Sequence, residues 1–301
     1  MASVRKLAGL GWGKLLRSTV REAFSDDIVN RSAALSFWFL LGFFPLLFAV
    51  AGMLSMIGSG PGSQGILLRY LAHVLPDTAS GLVRQVLSHT TGSAIGFSLL
   101  FALWTASSAT AGLMDALNGI YELKEARPWW KAQLVSVALA VATVALMVIA
   151  VLLVVYVPIV LHTIAPGSAL VVLWKIVQWP AAAILLILAL LCLYRFAPNI
   201  HDQKWKWLVP GSIVAIGIWV GVSVGFKVYI RHFSNYGLLY GSLGTLIILM
   251  FWFYLSGAAI LIGGEINSIL EDAAARRNVP GAKKRGQRSS LDSSAQASAP
   301  K

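Results

Sequence analysis

Charged side chains are scarce in this chain, and six long stretches contain none. Charged residues make up 12% of the 301 residues and hydrophobic residues 57%, whereas about 25% of the residues in a soluble domain are charged. The stretches without Asp, Glu, Lys or Arg are residues 32–68, 85–114, 132–174, 176–194, 207–226 and 232–264. Each is about long enough for a helix that crosses a bilayer core of ~30 Å, which needs ~20 apolar residues. The sequence therefore predicts an all-α, polytopic membrane protein.

The side chains on which several kinds of enzyme depend are also missing. Cys192 is the only cysteine, so no disulfide can form within the chain. The five histidines, none of which lies at metal-ligand spacing from another, are His73, His89, His162, His201 and His232. No P-loop, nucleophile elbow or glycine-rich dinucleotide turn occurs. The sequence therefore predicts no enzyme activity, no bound metal and no cofactor.

The apolar stretches divide the chain into three parts. Residues 1–31 form an N-terminal segment, residues 32–270 a six-helix membrane domain and residues 271–301 a basic tail. The tail is predicted to be disordered, because it has few large apolar groups to bury. The expected spans are about residues 32–57, 93–115, 133–161, 170–194, 208–230 and 238–263. The first is longer than the apolar region of a signal peptide, so we expect it to remain as an anchor.

The distribution of basic residues predicts the orientation. Nineteen of the 24 Lys and Arg residues lie in the N-terminal segment, the tail, and the loops after the second and fourth spans. Only Arg69, Arg84 and Arg231 lie in the opposite loops. Since Lys and Arg are enriched in cytoplasmic loops, both termini are predicted to be cytoplasmic. The same asymmetry accounts for most of the net charge of +12, which favours contact with anionic lipids over binding to nucleic acid.

Two amphipathic regions lie outside the spans. Residues 12–24 place apolar side chains on one helical face and basic side chains on the other, which predicts a helix lying at the membrane surface. Packing of this helix against the protein's own bundle is an open alternative. Residues 58–92 repeat apolar side chains at helical spacing around Pro76 and Asp77, which predicts a helical hairpin at the outer face.

Small residues and a proline indicate how the spans are shaped. Glycines recur at Gly217, Gly221 and Gly225 in the fifth span, and again at Gly241 and Gly244 in the sixth. Such stripes favour close helix packing, although a sliding surface in a transporter is an alternative. Pro45 removes a backbone hydrogen bond within the first span and predicts a kink there.

Four charged residues adjoin the ends of the spans. Arg31 precedes the first span, Asp115 ends the second, Arg195 closes the fourth and Glu265 follows the sixth. All four fall at the predicted cytoplasmic end, where ionisable groups should pair or face a wet cavity. We expect either structural ion pairs or a polar vestibule that receives an anionic headgroup.

Several sequence blocks together resemble one family. They are Arg31-Ser-Ala-Ala-Leu-Ser-Phe37 with Phe44-Pro45-Leu46; Leu103-Trp104; Ala116-Leu117-Asn118 with Tyr121 and Arg127-Pro128; Tyr194-Arg195-Phe196 with Pro198-Asn199; Leu208-Val209-Pro210-Gly211; and Tyr240-Gly241-Ser242-Leu243-Gly244 with Trp252, Tyr254-Leu255 and Gly264-Glu265-Ile266-Asn267. Over roughly residues 20–270 the chain resembles the bacterial YihY/BrkB family of inner-membrane proteins. The resemblance implies a six-helix protein with cytoplasmic ends.

The resemblance does not imply a settled activity. The family has been labelled ribonuclease BN, but a metal-dependent ribonuclease needs clustered His and carboxylate ligands that this sequence lacks. Two classes of function remain. One is a carrier or flippase-like transporter of a lipid or amphiphilic anion for the cell envelope. The other is a non-transporting envelope component. Membrane lipids are the expected partners, and the oligomeric state is left open.

Overall fold

Seven helices account for most of the chain in the computed structural model, which describes residues 9, 11–57, 92–164, 167–232 and 236–287. They are α1 (Trp12–Ser25), α2 (Ile28–Ile57), α3 (Gly92–Ile120), α4 (Trp129–Ile164), α5 (Ala169–Phe196), α6 (Trp205–His232) and α7 (Tyr236–Arg276). Helices α2 to α7 correspond to the six predicted spans and extend beyond them by a few residues, except that α7 continues to Arg276, well past the predicted end at residue 263. The hairpin predicted over residues 58–92 lies almost wholly outside the described residues.

Each of the helices α2 to α7 contains a segment long and apolar enough to cross a membrane. Many of their large apolar side chains are exposed within the chain itself, among them Val172, Ile184 and Val224. Exposure of so many apolar groups is unfavourable in water, and a bilayer removes that cost. The predicted all-α, polytopic membrane fold is confirmed. Pro45 lies within α2, which is helical on both sides of it, and a kink there stays a prediction.

Helix α7 is central to the bundle. It packs against α6, α2, α3 and α1, while α4 packs against α3 and α5. The main apolar core lies where α3 and α5 end and where α7 passes them, and it includes Leu117, Ile120, Tyr194 and Leu261. We call this region the charged end. It consists of α1, the loops 121–128 and 197–204, the adjoining turns of the long helices, and residues 277–287.

Helix α1 has two different apolar surfaces. Leu15 and Thr19 are buried, and Leu15 packs against residues of α6 and α7. Leu16, Val20 and Phe24 lie on a neighbouring face and are exposed. Packing on the bundle therefore uses one strip of the helix, and a second strip remains available for lipid.

The glycine stripe of α6 points in a different direction from the one that the sequence predicts. A Cβ atom built on Gly217, Gly221 or Gly225 would meet nothing within 4 Å. All three glycines are exposed, and the close packing predicted for them does not occur with any described residue. In α7, Gly244 is buried, whereas the surroundings of Gly241 lie outside the described residues. Helical spacing shows that the glycines share a face, but it does not show which way that face points.

The tail that is predicted to be disordered from residue 271 is ordered as far as residue 287. Helix α7 continues to Arg276, and residues 277–287, which we call the C-terminal segment, fold back against the bundle. The N–H of Gly286 donates to the Tyr121 carbonyl at 3.0 Å, and Trp207 Nε1 donates to the Gly281 carbonyl at 3.3 Å. Both glycines have φ near +75°, a conformation that other residues rarely adopt. Residues 288–301 lie outside the described residues.

Candidate functional site at the charged end

The four charges predicted to form a vestibule occupy three separate environments. Arg31 Nη1 donates to Asp115 Oδ2 at 2.8 Å. Glu265 pairs with Arg285 of the C-terminal segment, a residue that the sequence analysis had assigned to a disordered tail. The Arg195 guanidinium lies 5.8 Å from the centre of the Phe196 ring and is close enough to Glu271 to stabilise its charge. The structure thus brings together Arg31 and Asp115 but does not pair Arg195 with Glu265.

A cleft opens beside the pair of Arg31 and Asp115. It has a volume of roughly 130 Å³ and lies between α2 and α3. Its lining residues are Arg31, Ala34, Leu35, Trp38, Gly112 and Asp115. The turn between α1 and α2 holds the arginine in place, because Nε of Arg31 also donates to the Asp26 carbonyl at 3.1 Å. The cleft therefore combines a fixed guanidinium at its mouth with an apolar wall.

The two charges of this cleft are unequally covered. The Asp115 side chain is 82% exposed and that of Arg31 is 31% exposed. An exposed ion pair contributes only ~0–1 kcal/mol, so another anion can compete for the guanidinium. Arginine suits carboxylate and phosphate groups because its planar fork donates two hydrogen bonds at once. The arrangement can therefore exchange an internal carboxylate for an external anion at low cost.

A second cluster of charges surrounds Arg285 and is much less exposed. Nη2 of Arg285 donates to Glu265, whose side chain is fully buried. Nη1 lies 3.3 Å from Glu22 and 3.7 Å from Glu122. Burial alone would lower the pKa of Arg285, but the nearby carboxylates of Glu265, Glu22 and Asp26 outweigh it and raise the pKa. Arg285 therefore stays charged and joins α1, α7 and the loop 121–128.

A buried polar network lies next to this cluster. Gln203 Nε2 donates to Glu271 Oε2 at 2.9 Å and to the Tyr121 hydroxyl at 3.3 Å. Burial, followed by the charge of Glu271, raises the pKa of Tyr121 well above its ordinary value, so the phenol keeps its proton. Lys283 of the C-terminal segment stabilises the charge of Glu271. This network ties the loop 197–204 to α7 and to the C-terminal segment.

The loop 121–128 is fixed by an arginine clamp. Arg127 Nη2 donates to Glu125 at 2.7 Å and to the Ala197 carbonyl at 2.8 Å. The hydrogen bonds from Arg127 hold the pKa of Glu125 at about 2, so this carboxylate is ionised at neutral pH. Asn118 donates to Glu125 at 2.9 Å and accepts the Asn199 N–H at 2.8 Å. The clamp connects the ends of α3 and α5.

Two glycines allow α6 and α7 to approach at backbone distance. The N–H of Gly211 donates to Asn267 Oδ1 at 2.7 Å. A Cβ atom on Gly211 would overlap the carbonyl oxygen of Gly263, and one on Gly263 would lie 2.7 Å from the carbonyl oxygen of Gly211. Next to this crossing, the Tyr194 hydroxyl donates to the Ile260 carbonyl at 2.6 Å. Two of the family-like blocks, residues 208–211 and 264–267, therefore meet in space.

Sequence reasoning missed several residues of this region, of which Arg285, Asp26 and Glu22 are the most important. Arg285 lies in a basic run that resembles a solvated tail. Pro280, Gly281 and Gly286 around it were the available signal, because proline and glycine at this spacing favour an ordered turn. Glu22 belongs to an amphipathic helix whose charged face is expected to be in water, and Asp26 directly follows that helix. Within the described ranges, no three His, Cys, Asp or Glu side chains are grouped so that they could hold a metal ion.

Comparison with known proteins places this geometry in context. A family model described as virulence factor BrkB matches residues 19–288. The chain is 32% identical over 265 residues to the ribonuclease-like protein YfkH of Bacillus subtilis (strain 168), covering 84% of this chain and 95% of YfkH. It is 24% identical to a UPF0761 membrane protein of Pseudoalteromonas translucida (strain TAC 125), covering 83% and 84% of the two chains. A UPF0761 membrane protein of Tolumonas auensis (strain DSM 9187 / NBRC 110442 / TA 4) is 34% identical over 96 residues, which is 32% of each chain. No solved structure matches the chain.

Proposed function

Because the chain belongs to the virulence factor BrkB family, whose relatives include membrane proteins, we propose that it binds an anionic lipid or amphiphile at the charged end of its helical bundle. In this proposal the protein acts as a carrier or flippase-like transporter in the bacterial inner membrane. It moves the amphiphile for the cell envelope.

The cleft between α2 and α3 is the observation that carries the proposal. An anionic amphiphile needs a cation for its headgroup and an apolar surface for its chain. Arg31 supplies the cation, while Leu35 and Trp38 supply the apolar surface. Gly119 contributes indirectly, because a Cβ atom there would lie 3.0 Å from the Arg31 guanidinium. Asp115 pairs with the Arg31 guanidinium when no ligand is bound, and a bound headgroup would displace the Asp115 carboxylate.

Substitutions in the cleft should change the amount of anionic lipid that the protein retains. Arg31→Ala should lower retention of phosphatidylglycerol at least tenfold, because the headgroup loses its cation. Asp115→Asn should raise retention, because the internal competitor loses its charge. Arg276→Ala is the matched control, since Arg276 is an exposed arginine that pairs with Asp272. Mass spectrometry of lipids bound to the purified protein gives the measurement.

An exchange of the two charges tests whether the pair is only structural. Arg31→Asp combined with Asp115→Arg keeps one charge of each sign at the same place. If the pair only stabilises the fold, the double variant should recover both stability and lipid retention. We expect recovery of stability alone, because the guanidinium then lies on α3 and loses the hydrogen bond to the Asp26 carbonyl that holds Arg31 in place. Full recovery of lipid retention would contradict the proposal.

A non-transporting envelope component is the second candidate. It is favoured by the buried ion pair of Glu265 and Arg285, which closes the charged end beneath the C-terminal segment. The candidates differ in liposomes that carry a labelled anionic lipid. A transporter accelerates the exchange of that lipid between leaflets and loses this activity in Arg31→Ala. A component that only binds lipid leaves the exchange rate equal to that of protein-free liposomes.

We also propose that the charged end faces the cytoplasm. The bias of basic residues supports this orientation, in which the exposed side chains of Leu16, Val20 and Phe24 on α1 would lie against the inner leaflet. A reporter that is active only in the cytoplasm should give signal when it is fused after Lys301. A reporter that is active only outside the cytoplasm should be silent there, and the reverse pattern would overturn the orientation.

We further propose that the protein does not hydrolyse RNA, although YfkH is named ribonuclease-like. Among the described residues, no three His, Cys, Asp or Glu side chains are grouped so that they could hold a metal ion, which supports this view because metal-dependent hydrolysis needs ligands held together. Purified protein should leave tRNA precursors intact when Mg²⁺, Mn²⁺ or Zn²⁺ is added. Cleavage that co-purifies with the protein and is lost in Asp115→Asn or Glu265→Gln would refute it.

A further inference from the structure

Two tryptophan side chains in the middle of the spans have indole N–H groups without an acceptor. Trp38 and Trp104 lie near the centres of the apolar segments Ile28–Leu46 and Gly96–Ile120. Their rings meet edge to face, with the centroids 5.9 Å apart. Within the described ranges, neither indole N–H donates a hydrogen bond. Each of the two tryptophans therefore has a donor that no described residue satisfies.

Other tryptophans of the spans do have partners for this group. Nε1 of Trp219 donates to Ser256 at 3.2 Å. Nε1 of Trp252 donates to Ser223 at 3.3 Å. An N–H that faces lipid tails has lost its hydrogen bonds to water and gained none in return, which is costly. Tryptophan is accordingly enriched at the membrane interface, where its N–H stays wet, so a pair of such donors in the middle of the spans calls for an acceptor.

The face of α3 that carries Trp104 is open and leads to the cleft. Trp104 is 53% exposed, and Trp38 beside it is partly exposed. Residues 104, 108 and 112 share one face of α3 because they are four positions apart. Ser108 and Gly112 on this face are both partly exposed. Since Trp38 and Gly112 also line the cleft, the two N–H groups are continuous with it.

The two N–H groups lie deeper in the membrane than the charges of the cleft. At a rise of about 1.5 Å per residue, Trp38 is about 10 Å along α2 from Arg31, and Trp104 is about 16 Å along α3 from Asp115. Half of the hydrocarbon core is ~15 Å thick. A headgroup that leaves Arg31 for the opposite leaflet along this face therefore passes the two tryptophans roughly halfway.

The chemistry of the two donors fits a phosphate group. An indole N–H can donate but cannot accept, so it suits a headgroup that carries acceptors and negative charge. The non-bridging oxygens of a phosphodiester are acceptors of this kind. Moving such a charge through hydrocarbon is costly. Hydrogen bonds from fixed donors lower that cost most where the surroundings are apolar.

We propose that Trp38 and Trp104 form a second binding site for the anionic amphiphile, in which their N–H groups donate to its phosphate group about halfway across the membrane. The headgroup reaches this site from Arg31 along the open face of α3, while the apolar chain stays in the surrounding lipid. The ring contacts continue from Trp104 to Phe101 and from Phe101 to Phe97, with centroid distances of 5.4 and 6.2 Å, and so extend the route toward the other end of α3. The inference rests on the proposed function and adds the step that follows binding at Arg31.

Lipid exchange in liposomes tests the second site. Trp38→Phe combined with Trp104→Phe keeps both aromatic rings and removes both N–H groups. This double variant should exchange chain-labelled phosphatidylglycerol between leaflets at least tenfold more slowly than the wild type. It should retain as much phosphatidylglycerol on purification as the wild type, because Arg31 is unchanged. Trp179→Phe, a change of an exposed tryptophan on α5, is the matched control and should leave both quantities unchanged.

The results distinguish the second site from the proposed function. If the double variant exchanges lipid as fast as the wild type while Arg31→Ala does not, the second site is wrong and the proposed function stands. If the double variant loses lipid retention as severely as lipid exchange, the tryptophans belong to the cleft and there is no second site. If the wild type itself exchanges no lipid, transport fails, and with it the step assigned to the tryptophans.

NMR of the indole N–H groups gives a direct readout on the wild-type chain. The protein carries isotopically labelled tryptophan in a detergent without phosphate, and Trp104→Phe assigns the resonance of interest. Addition of phosphatidylglycerol should move the Trp104 N–H proton downfield, as expected for a new hydrogen bond, and should leave that of Trp179 in place. Diacylglycerol with the same chains should move neither, since it lacks the phosphate. A Trp104 resonance that does not respond to phosphatidylglycerol, or responds equally to diacylglycerol, would overturn the second site whatever the exchange rates.

Discussion

Gly211→Ala is expected to disrupt the bundle more than any other exchange of a single hydrogen for a methyl group in the described helices. The new Cβ atom would overlap the Gly263 carbonyl oxygen and crowd Asn267. Both obstacles are rigid, since one is backbone and the other is held by its hydrogen bond to the Gly211 N–H. Overpacking of a well-packed core costs ~1–3 kcal/mol, and more where nothing can move. We therefore expect a loss of about 3 kcal/mol or failure of the protein to accumulate.

Gly221→Ala is the matched control on the same helix. A Cβ atom there meets nothing within 4 Å, and alanine favours a helix interior over glycine by ~0.5–1 kcal/mol. This variant should be as stable as the parent or slightly more stable. Thermal unfolding in detergent, followed by the fraction of protein that remains monodisperse, gives the comparison. Equal stability of Gly211→Ala and Gly221→Ala would show that α6 and α7 do not cross at Gly211 and Gly263.

Arg285→Ala is the second substitution with a large expected effect. It removes the positive charge that accompanies the fully buried carboxyl group of Glu265. Deleting one partner of a buried ion pair typically costs ~3–5 kcal/mol, because the other charge remains without compensation. The effect should be greater than that of a surface arginine, since Arg285 also contacts Glu22 of α1. We expect α1 and the C-terminal segment to detach together from α7.

A second substitution tests whether the loss of stability in Arg285→Ala comes from the uncompensated charge of Glu265. Combining Arg285→Ala with Glu265→Gln removes the uncompensated carboxylate, so the double variant should regain much of the lost stability. Arg276→Ala should have almost no effect, because Arg276 forms an exposed pair with Asp272. Limited proteolysis of the C-terminal segment and unfolding in denaturant report the two effects. No rescue by Glu265→Gln would mean that Arg285 acts through packing and not through charge.

The architecture of the spans could be predicted from sequence because it depends on composition alone. A helix with no charge over the length of a bilayer has few alternatives. The direction in which a helix face points does not depend on composition alone, so it could not be predicted in the same way. The stripe at Gly217, Gly221 and Gly225 shares one face, yet that face points outward. The glycines that bring helices together, Gly211 and Gly263, are not part of an obvious repeat, because one close contact needs one small residue on each helix.

The pairing of charges was predictable only in part. Arg31 and Asp115 lie at similar depth at the ends of α2 and α3, and they meet because these two helices pack against each other. The partner of Glu265 could not be predicted, because it lies in the C-terminal segment, whose composition by itself favours disorder. The segment is ordered because Trp207, Tyr121 and Glu271 offer it partners in the folded bundle. The only local signal for these long-range contacts is the proline and the glycines at Pro280, Gly281 and Gly286, which favour an ordered turn without identifying its partners.

The contact between Glu22 and Arg285 joins residues that are 263 positions apart, and this separation has a consequence for biosynthesis. While the chain is being made, α1 reaches the membrane long before Arg285 leaves the ribosome. All six spans must be inserted before the carboxyl group of Glu265 can gain its partner. Closure of the charged end is therefore a late step, slowed by the loop-closure entropy of a distant contact. Until then Glu265 lacks the arginine that balances its charge, so a chain that ends before Arg285 cannot close the charged end.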